Sequence, residues 1–207
     1  MDTFPSWIAV RSAFEHAARW FVSTVVAERG RWDEPGLGEW SVRDLIGHTS
    51  RALLTVESYL DKNATAIDIG SPGGYFRAAL ASMGDPAAVA RRGRDAGIAL
   101  GPEIDAAVVE ISERVLARVN SEQPDAVVAT PVGGMRLVDY LPTRTFELTV
   151  HTCDLAVALG RPLDVPSVAA VESLTVLGEL AAHAGNAGPL LLAVTGRRAL
   201  PAGFTVL

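Results

Sequence analysis

The sequence predicts an all-α fold, a bundle of amphipathic helices joined by loops. Three observations predict it. Apolar residues recur at intervals of three and four over several long stretches, a helical period rather than an alternating one. Ser41 followed by Asp44 is a capping-box-like pair at the head of one such stretch. Glycine and proline at Gly30, Gly101-Pro102 and Gly160-Arg161-Pro162 break the pattern where helices should end.

In chain order, Ser6 can cap a first helix reaching about Ala27 or Glu28, with Ile8, Phe14, Ala17, Ala18, Phe21, Val22 and Val25 inward. His16 lies in it with no acid or imidazole four residues away, which argues against a ligand role. Gly30 ends this helix, and residues 32–39 form a loop punctuated by Pro35, Gly36 and Gly38. The second helix starts at the Ser41 cap and runs to about Leu60 on a stripe of Leu45, Ile46, Thr49, Ala52, Leu53 and Val56. His48 lies beside that stripe and so faces a core or a cleft.

Residues 61–72 read as an exposed loop ending at Ser71-Pro72-Gly73-Gly74, before a short helix from Tyr75 to Met83. Asp85-Pro86 then caps and opens a helix to about Leu100, with Arg91, Arg92 and Arg94 on a solvated face. The next helix runs from Glu103 to about Val119, with Ile104, Ala107, Val108, Ile111, Val115 and Leu116 inward. Short β-prone runs at 127–130 and 135–137 suggest a small hairpin or an extended loop. A helix beginning at Leu137 or Thr143 follows, started or kinked by Pro142 and ended after Leu159. The last helix runs from Pro166 to about Ala182, where His183 suits the helix C-terminus. Pro189 to Val194 and Phe204 to Leu207 read as strands or an extended tail. The expected division is a bundle over 1–184 and a short packed tail over 185–207.

Composition narrows the function classes. The chain has 207 residues, 49% hydrophobic and 20% charged, ordinary for a core-forming protein. A net charge of −6 offers no basic footprint for nucleic acid. A single cysteine, Cys153, excludes an internal disulfide framework and favours a reducing compartment. The N-terminal residues lack the basic and apolar regions of a signal peptide, and no apolar run reaches the ~18 residues of a membrane span. The expectation is a soluble cytoplasmic protein.

Glu147 and His151 are four residues apart on the Pro142-containing helix, so their side chains stack one turn apart on one face. A carboxylate and an imidazole so placed can grip one metal ion, and His48 is the best third donor elsewhere in the chain. A lone pair of this kind is more often a surface or satisfied core pair, and a histidine like His48 more often a hydrogen-bonded core residue.

The stretch 38–49 (Gly-Glu-Trp-Ser-Val-Arg-Asp-Leu-Ile-Gly-His-Thr), taken with 147–156 (Glu-Leu-Thr-Val-His-Thr-Cys-Asp-Leu-Ala), resembles the mycothiol-dependent maleylpyruvate isomerase family of the DinB-like superfamily. The ending at 195–204 is similar to the tails of its actinobacterial members. This resemblance implies a DinB-like up-and-down four-helix bundle holding a divalent metal, usually zinc, through His48, Glu147 and His151. It also implies mycothiol as co-substrate, a small electrophilic substrate, and a transferase or isomerase reaction, with homodimerisation left open. The isomerase itself carries a larger α/β domain after the bundle, whereas this chain has room for two short strands at most. Thiol chemistry is therefore the expectation, rather than maleylpyruvate isomerisation specifically.

Two imidazoles and one carboxylate leave a coordination position open, as in catalytic zinc sites. A thiol entering there would be ionised near neutral pH, and a metal-bound hydroxide for hydrolysis needs the same ligands. A non-catalytic metal- or ligand-binding bundle is the third reading. Metal occupancy should weaken below about pH 6.5, where free imidazole protonates. No general base stands out. Asp44, Arg144 and Asp154 are the nearest polar candidates, with capping, a surface position or support of a ligand histidine as alternatives. Cys153, two residues past His151, falls on another helix face and should be buried packing.

Overall fold

The computed structural model describes residues 6–207 apart from Asn63 and residues 83–85, so the expected cap at Asp85 and helix end at Met83 lie outside the described residues. The helices are α1 (Trp7–Val26), α2 (Val42–Leu60), α3 (Pro72–Ala81), α4 (Pro86–Ala99), α5 (Ile104–Ser121), α6 (Leu137–Ala158), α7 (Ser167–His183) and α8 (Ala187–Val194). A two-stranded antiparallel hairpin, β1 (Val127–Thr130) and β2 (Gly133–Arg136), separates α5 from α6. The fold is all-α, as the periodicity predicts.

Helices α1, α2, α5 and α6 form a four-helix bundle in which α1 and α2 each touch both α5 and α6. Phe14 and Phe21 of α1, Leu45 and Leu53 of α2, Ile104 and Val115 of α5, and Leu141, Leu148 and Leu155 of α6 meet in one fully buried core. Burying each such side chain is worth about 1.5–3 kcal/mol. Helix α6 is packed by α1, α2, α3 and α7, and residues 141–146 are buried without a break. A helix covered on all sides cannot show a clean amphipathic stripe.

Local chemistry fixes the helix carrying His48. Ser41 Oγ accepts from the Asp44 amide at 3.2 Å, and Asp44 Oδ2 accepts from the Ser41 amide at 3.0 Å, so the capping box closes as expected. Helix α4 then packs on the outside of α2 along a seam of glycines. A Cβ on Gly47 would fall 2.1 Å from the Gly97 nitrogen, and one on Gly93 would fall 2.7 Å from the Trp40 ring. Glycine here is a requirement of close approach.

Several local expectations are corrected. Ser6 makes no side-chain cap, and Ile8 is 71% exposed because none of the described residues packs on that face of the first turn. Ser71-Pro72-Gly73-Gly74 is the first turn of α3 rather than loop: Ser71 Oγ accepts from the Gly74 amide at 3.1 Å and proline sits at N1. Residues 189–194, expected as a strand or extended tail, lie in α8, because Pro189 falls in its first turn where the missing N–H costs nothing. Residues 204–207 carry no regular secondary structure, and Val206 packs on Phe76, Phe146, Val176 and Leu180. Pro142 lies inside α6 rather than opening it.

Candidate metal centre

Helices α2 and α6 run antiparallel along their contact, since His48 meets His151 at one end and Tyr59 meets Tyr140 at the other. That register brings together the three residues singled out in the sequence. One donor atom each from His48, Glu147 and His151 all lie within 4.8 Å of one another. The i,i+4 spacing stacks Glu147 and His151 so that Oε2 and Nε2 are 3.3 Å apart. Donors bound to one zinc at 2.0–2.2 Å are roughly 3.4 Å apart, so this pair is already at ligand spacing.

The two histidines are held differently. Nδ1 of His151 is 3.1 Å from Asp154 Oδ2, one turn further along α6. The carboxylate accepts the Nδ1 proton and leaves Nε2 pointed at Glu147, the supporting arrangement common around ligand histidines. Burial alone would lower the pKa of His151, but the hydrogen bonds with Asp154 and Glu147 outweigh it and raise the ring to about 9. His48 stacks against Trp40, ring centroids 4.5 Å apart, and meets His151 edge to face at 4.6 Å. Burial, then the neighbouring His151, pushes it down to about 4. Among the described residues its buried Nδ1 has no hydrogen-bond partner, unlike the usual satisfied core histidine. Burial would raise Glu147, but the His151 hydrogen bond, Arg144 and the two imidazoles bring it down to about 2.

An ionised carboxylate, a neutral imidazole with an unused nitrogen, and a second imidazole aimed by its own carboxylate could hold a divalent cation. The donor set of two nitrogens and one oxygen would leave coordination positions for an outside ligand.

The other candidates divide. Asp44 serves the α2 cap, and Asp154 supports His151. His16 bonds the Ser12 carbonyl at 2.8 Å, and His183 is half exposed beside Glu179. Cys153 is only half-buried and borders an apolar cavity of about 540 Å³ between α6, α7 and the C-terminal residues, its thiol pushed up first by burial. The role of one residue went unrecognised in the sequence. Trp40 walls His48, a role signalled only by its place just before the cap. Arg144, one of the polar candidates with a surface position as its alternative, is buried within an apolar and threonine run, so the surface alternative does not hold.

A family model described as the mycothiol maleylpyruvate isomerase N-terminal domain matches residues 12–156, a span from α1 through most of α6 that contains His48, Glu147 and His151. No curated protein and no solved structure gives a match.

Proposed function

This chain belongs to the mycothiol maleylpyruvate isomerase N-terminal domain family, and from that premise we propose that it is a metal-dependent enzyme joining a low-molecular-weight thiol to a small electrophile, in a transferase or isomerase reaction. The observation that carries the proposal is the convergence of His48, Glu147 and His151 donors within 4.8 Å across the α2–α6 contact. Held by these three residues, a divalent cation such as zinc would supply the positive charge that keeps a thiol ionised near neutral pH.

The chain's own residues do the rest. Glu147 stays ionised and lends negative charge to the centre. Asp154 holds the His151 ring so that Nε2 faces the donor cluster. Trp40 lies against His48, restricting its ring and excluding water from that side. Mycothiol is the thiol the family name suggests. Among the described residues no helix is long and apolar enough to cross a membrane, and we assign the protein to the cytoplasm, where small thiols are reduced.

The test is conjugation of mycothiol to a reactive electrophile, with one zinc per chain and after chelation, corrected for the uncatalysed rate. Thiol- and metal-dependent turnover is expected. Full turnover after chelation would sink the metal role. Stoichiometric zinc with no turnover on several electrophiles would favour a metal-binding bundle, and zinc-dependent hydrolysis without thiol would favour a hydrolase.

A further inference from the structure

The cavity of about 540 Å³ beside Cys153 is not part of the metal centre. Phe146, Thr149 and Cys153 wall it from α6, Ser173 and Leu177 from α7, and Phe204 from the C-terminal tail. His48, Glu147 and His151 take no part in its lining. At about 3.6 residues per turn, the α6 residues that line it sit roughly a third of a turn round the helix from Glu147 and His151. A ligand there would lie against one face of α6 while the donors occupy another.

The chemistry of the walls is uniform. Among the described residues that line the cavity, none has a charged side chain. Its volume falls within the roughly 300–1,000 Å³ of small-molecule sites, whereas packed interiors leave few voids larger than a water molecule. Apolar cavities hold water poorly and take up apolar guests instead. A charged guest would give up its hydration and find no opposite charge. Walls on three sides fit a compact molecule held between two helices and the tail, rather than a flat partner surface.

Two polar groups interrupt the apolar lining. Thr149 on α6 is 5% exposed and Ser173 on α7 is 7% exposed, and both border the cavity. Among the described residues neither hydroxyl has a hydrogen-bond partner, although buried hydroxyls normally have one. A hydroxyl reorients by rotation about a single bond, so an acceptor atom on a guest can supply the bond the fold leaves unmade.

We propose that this cavity is a second ligand site, separate from the metal centre, for an uncharged apolar molecule carrying one hydrogen-bond acceptor such as a ketone or ester carbonyl. Phe146 and Phe204 in its walls suit a flat ring system. Thr149 and Ser173 donate to the carbonyl from the two helices.

The test uses the full chain, metal-stripped and zinc-loaded, titrated with 6-propionyl-2-dimethylaminonaphthalene, an uncharged fluorophore with one ketone. One dye per chain is expected, with blue-shifted emission and the same affinity in both metal states. Ala170→Phe, which adds bulk to the cavity wall, should weaken binding about tenfold or more while keeping helical circular dichroism and uptake of one zinc. Because Cys153 is the single cysteine and borders the cavity, saturating dye should also slow its alkylation by N-phenylmaleimide severalfold. Thr149→Val with Ser173→Ala should weaken the ketone dye severalfold and leave 2-dimethylaminonaphthalene, which lacks the ketone, unaffected. Absence of dye binding overturns the proposal, as does full affinity in folded Ala170→Phe, which would place the dye on exposed apolar surface. If Ala170→Phe does not fold, Cys153 decides: an alkylation rate unmoved by saturating dye overturns the proposal. Undiminished ketone-dye binding in the double variant overturns the role of the two hydroxyls. Thiol conjugation is not part of the readout, so its failure leaves this site standing.

Discussion

His48 and His151 meet edge to face, 4.6 Å apart between ring centroids, and their surroundings bias them in opposite directions. His48 is held neutral, with its pKa lowered to about 4, and His151 is held protonated, raised to about 9. The difference comes from partners. His151 has Asp154 and Glu147, whereas Nδ1 of His48 has none.

Zinc binding is therefore expected to release about one proton per ion at pH 7.5, since His151 must give up the proton on Nε2 while His48 and Glu147 are ready as they stand. Competition by protons begins below about pH 9, a higher window than free imidazole suggests. Calorimetric titration of zinc in two buffers of different ionisation enthalpy measures the proton count. No proton release at pH 7.5 would contradict the assignment of His151.

In metal-stripped protein the same groups shape stability against pH. The raised pKa of His151 contributes stability that is complete below about 6.5 and lost as pH rises through about 9. The lowered pKa of His48 acts in the other sense: its contribution is complete above about 6.5 and lost as pH falls through about 4. The part of the melting temperature set by this pair should peak near pH 6.5. In His48→Leu the acid-side loss between 6.5 and 4 should shrink, and an unchanged acid limb would show that other groups set it.

Asp154→Asn should weaken zinc binding by roughly 10–100-fold without unfolding the chain, because the His151 ring loses its anionic anchor and keeps its packing. His48→Ala should lose stoichiometric zinc at micromolar concentrations. A chelator-competition titration of both variants reads these affinities.

Metal should also act as a cross-link, because His48 belongs to α2 and the other two donors to α6. At a free zinc concentration of 100 times the dissociation constant the native state gains about 2.7 kcal/mol. For a chain of this size that corresponds to a rise of roughly 5–10 °C in melting temperature, readable by scanning calorimetry. Addition of zinc to His48→Ala should produce a far smaller rise.

The glycine seam gives a stability prediction independent of metal. In Gly47→Ala the new Cβ would fall 2.1 Å from the Gly97 nitrogen and 2.5 Å from the Ala96 carbonyl carbon, both backbone atoms that cannot turn aside. Overpacking of this kind costs about 1–3 kcal/mol and outweighs the ~1 kcal/mol that alanine gains in helix propensity. Gly178→Ala, with nothing within 4 Å of the new atom, is the control and should be neutral or stabilising. Denaturant titration of the two variants separates the effects.

Much of this architecture could be read in the sequence because it is written in local chemistry. The Ser41–Asp44 capping box and the i,i+4 placement of Glu147 and His151 need no tertiary information. The face taken by His48 followed from the stripe of Leu45, Ala52 and Leu53 beside it. The failures are equally specific. Ile8 and residues 189–194 were misjudged because a short apolar run does not say whether a neighbour will cover it, or whether it will coil. Arg144 stood as a polar candidate with a surface alternative because charge normally marks a surface, and only the packing of α3 and α7 around α6 shows it buried.

Arg144, Glu147 and His151 share a single uninterrupted stretch of α6 beyond Pro142. Their spacing along the axis, about 4.5 Å from the first to the second and about 6 Å from the second to the third, is set by the rise of a helix. Loop motions cannot alter it, and neither can movement of α6 as a rigid rod. Glu147 and His151 should accordingly keep their mutual spacing whether or not a cation is present, leaving the approach of His48 on α2 as the movement by which the site tightens.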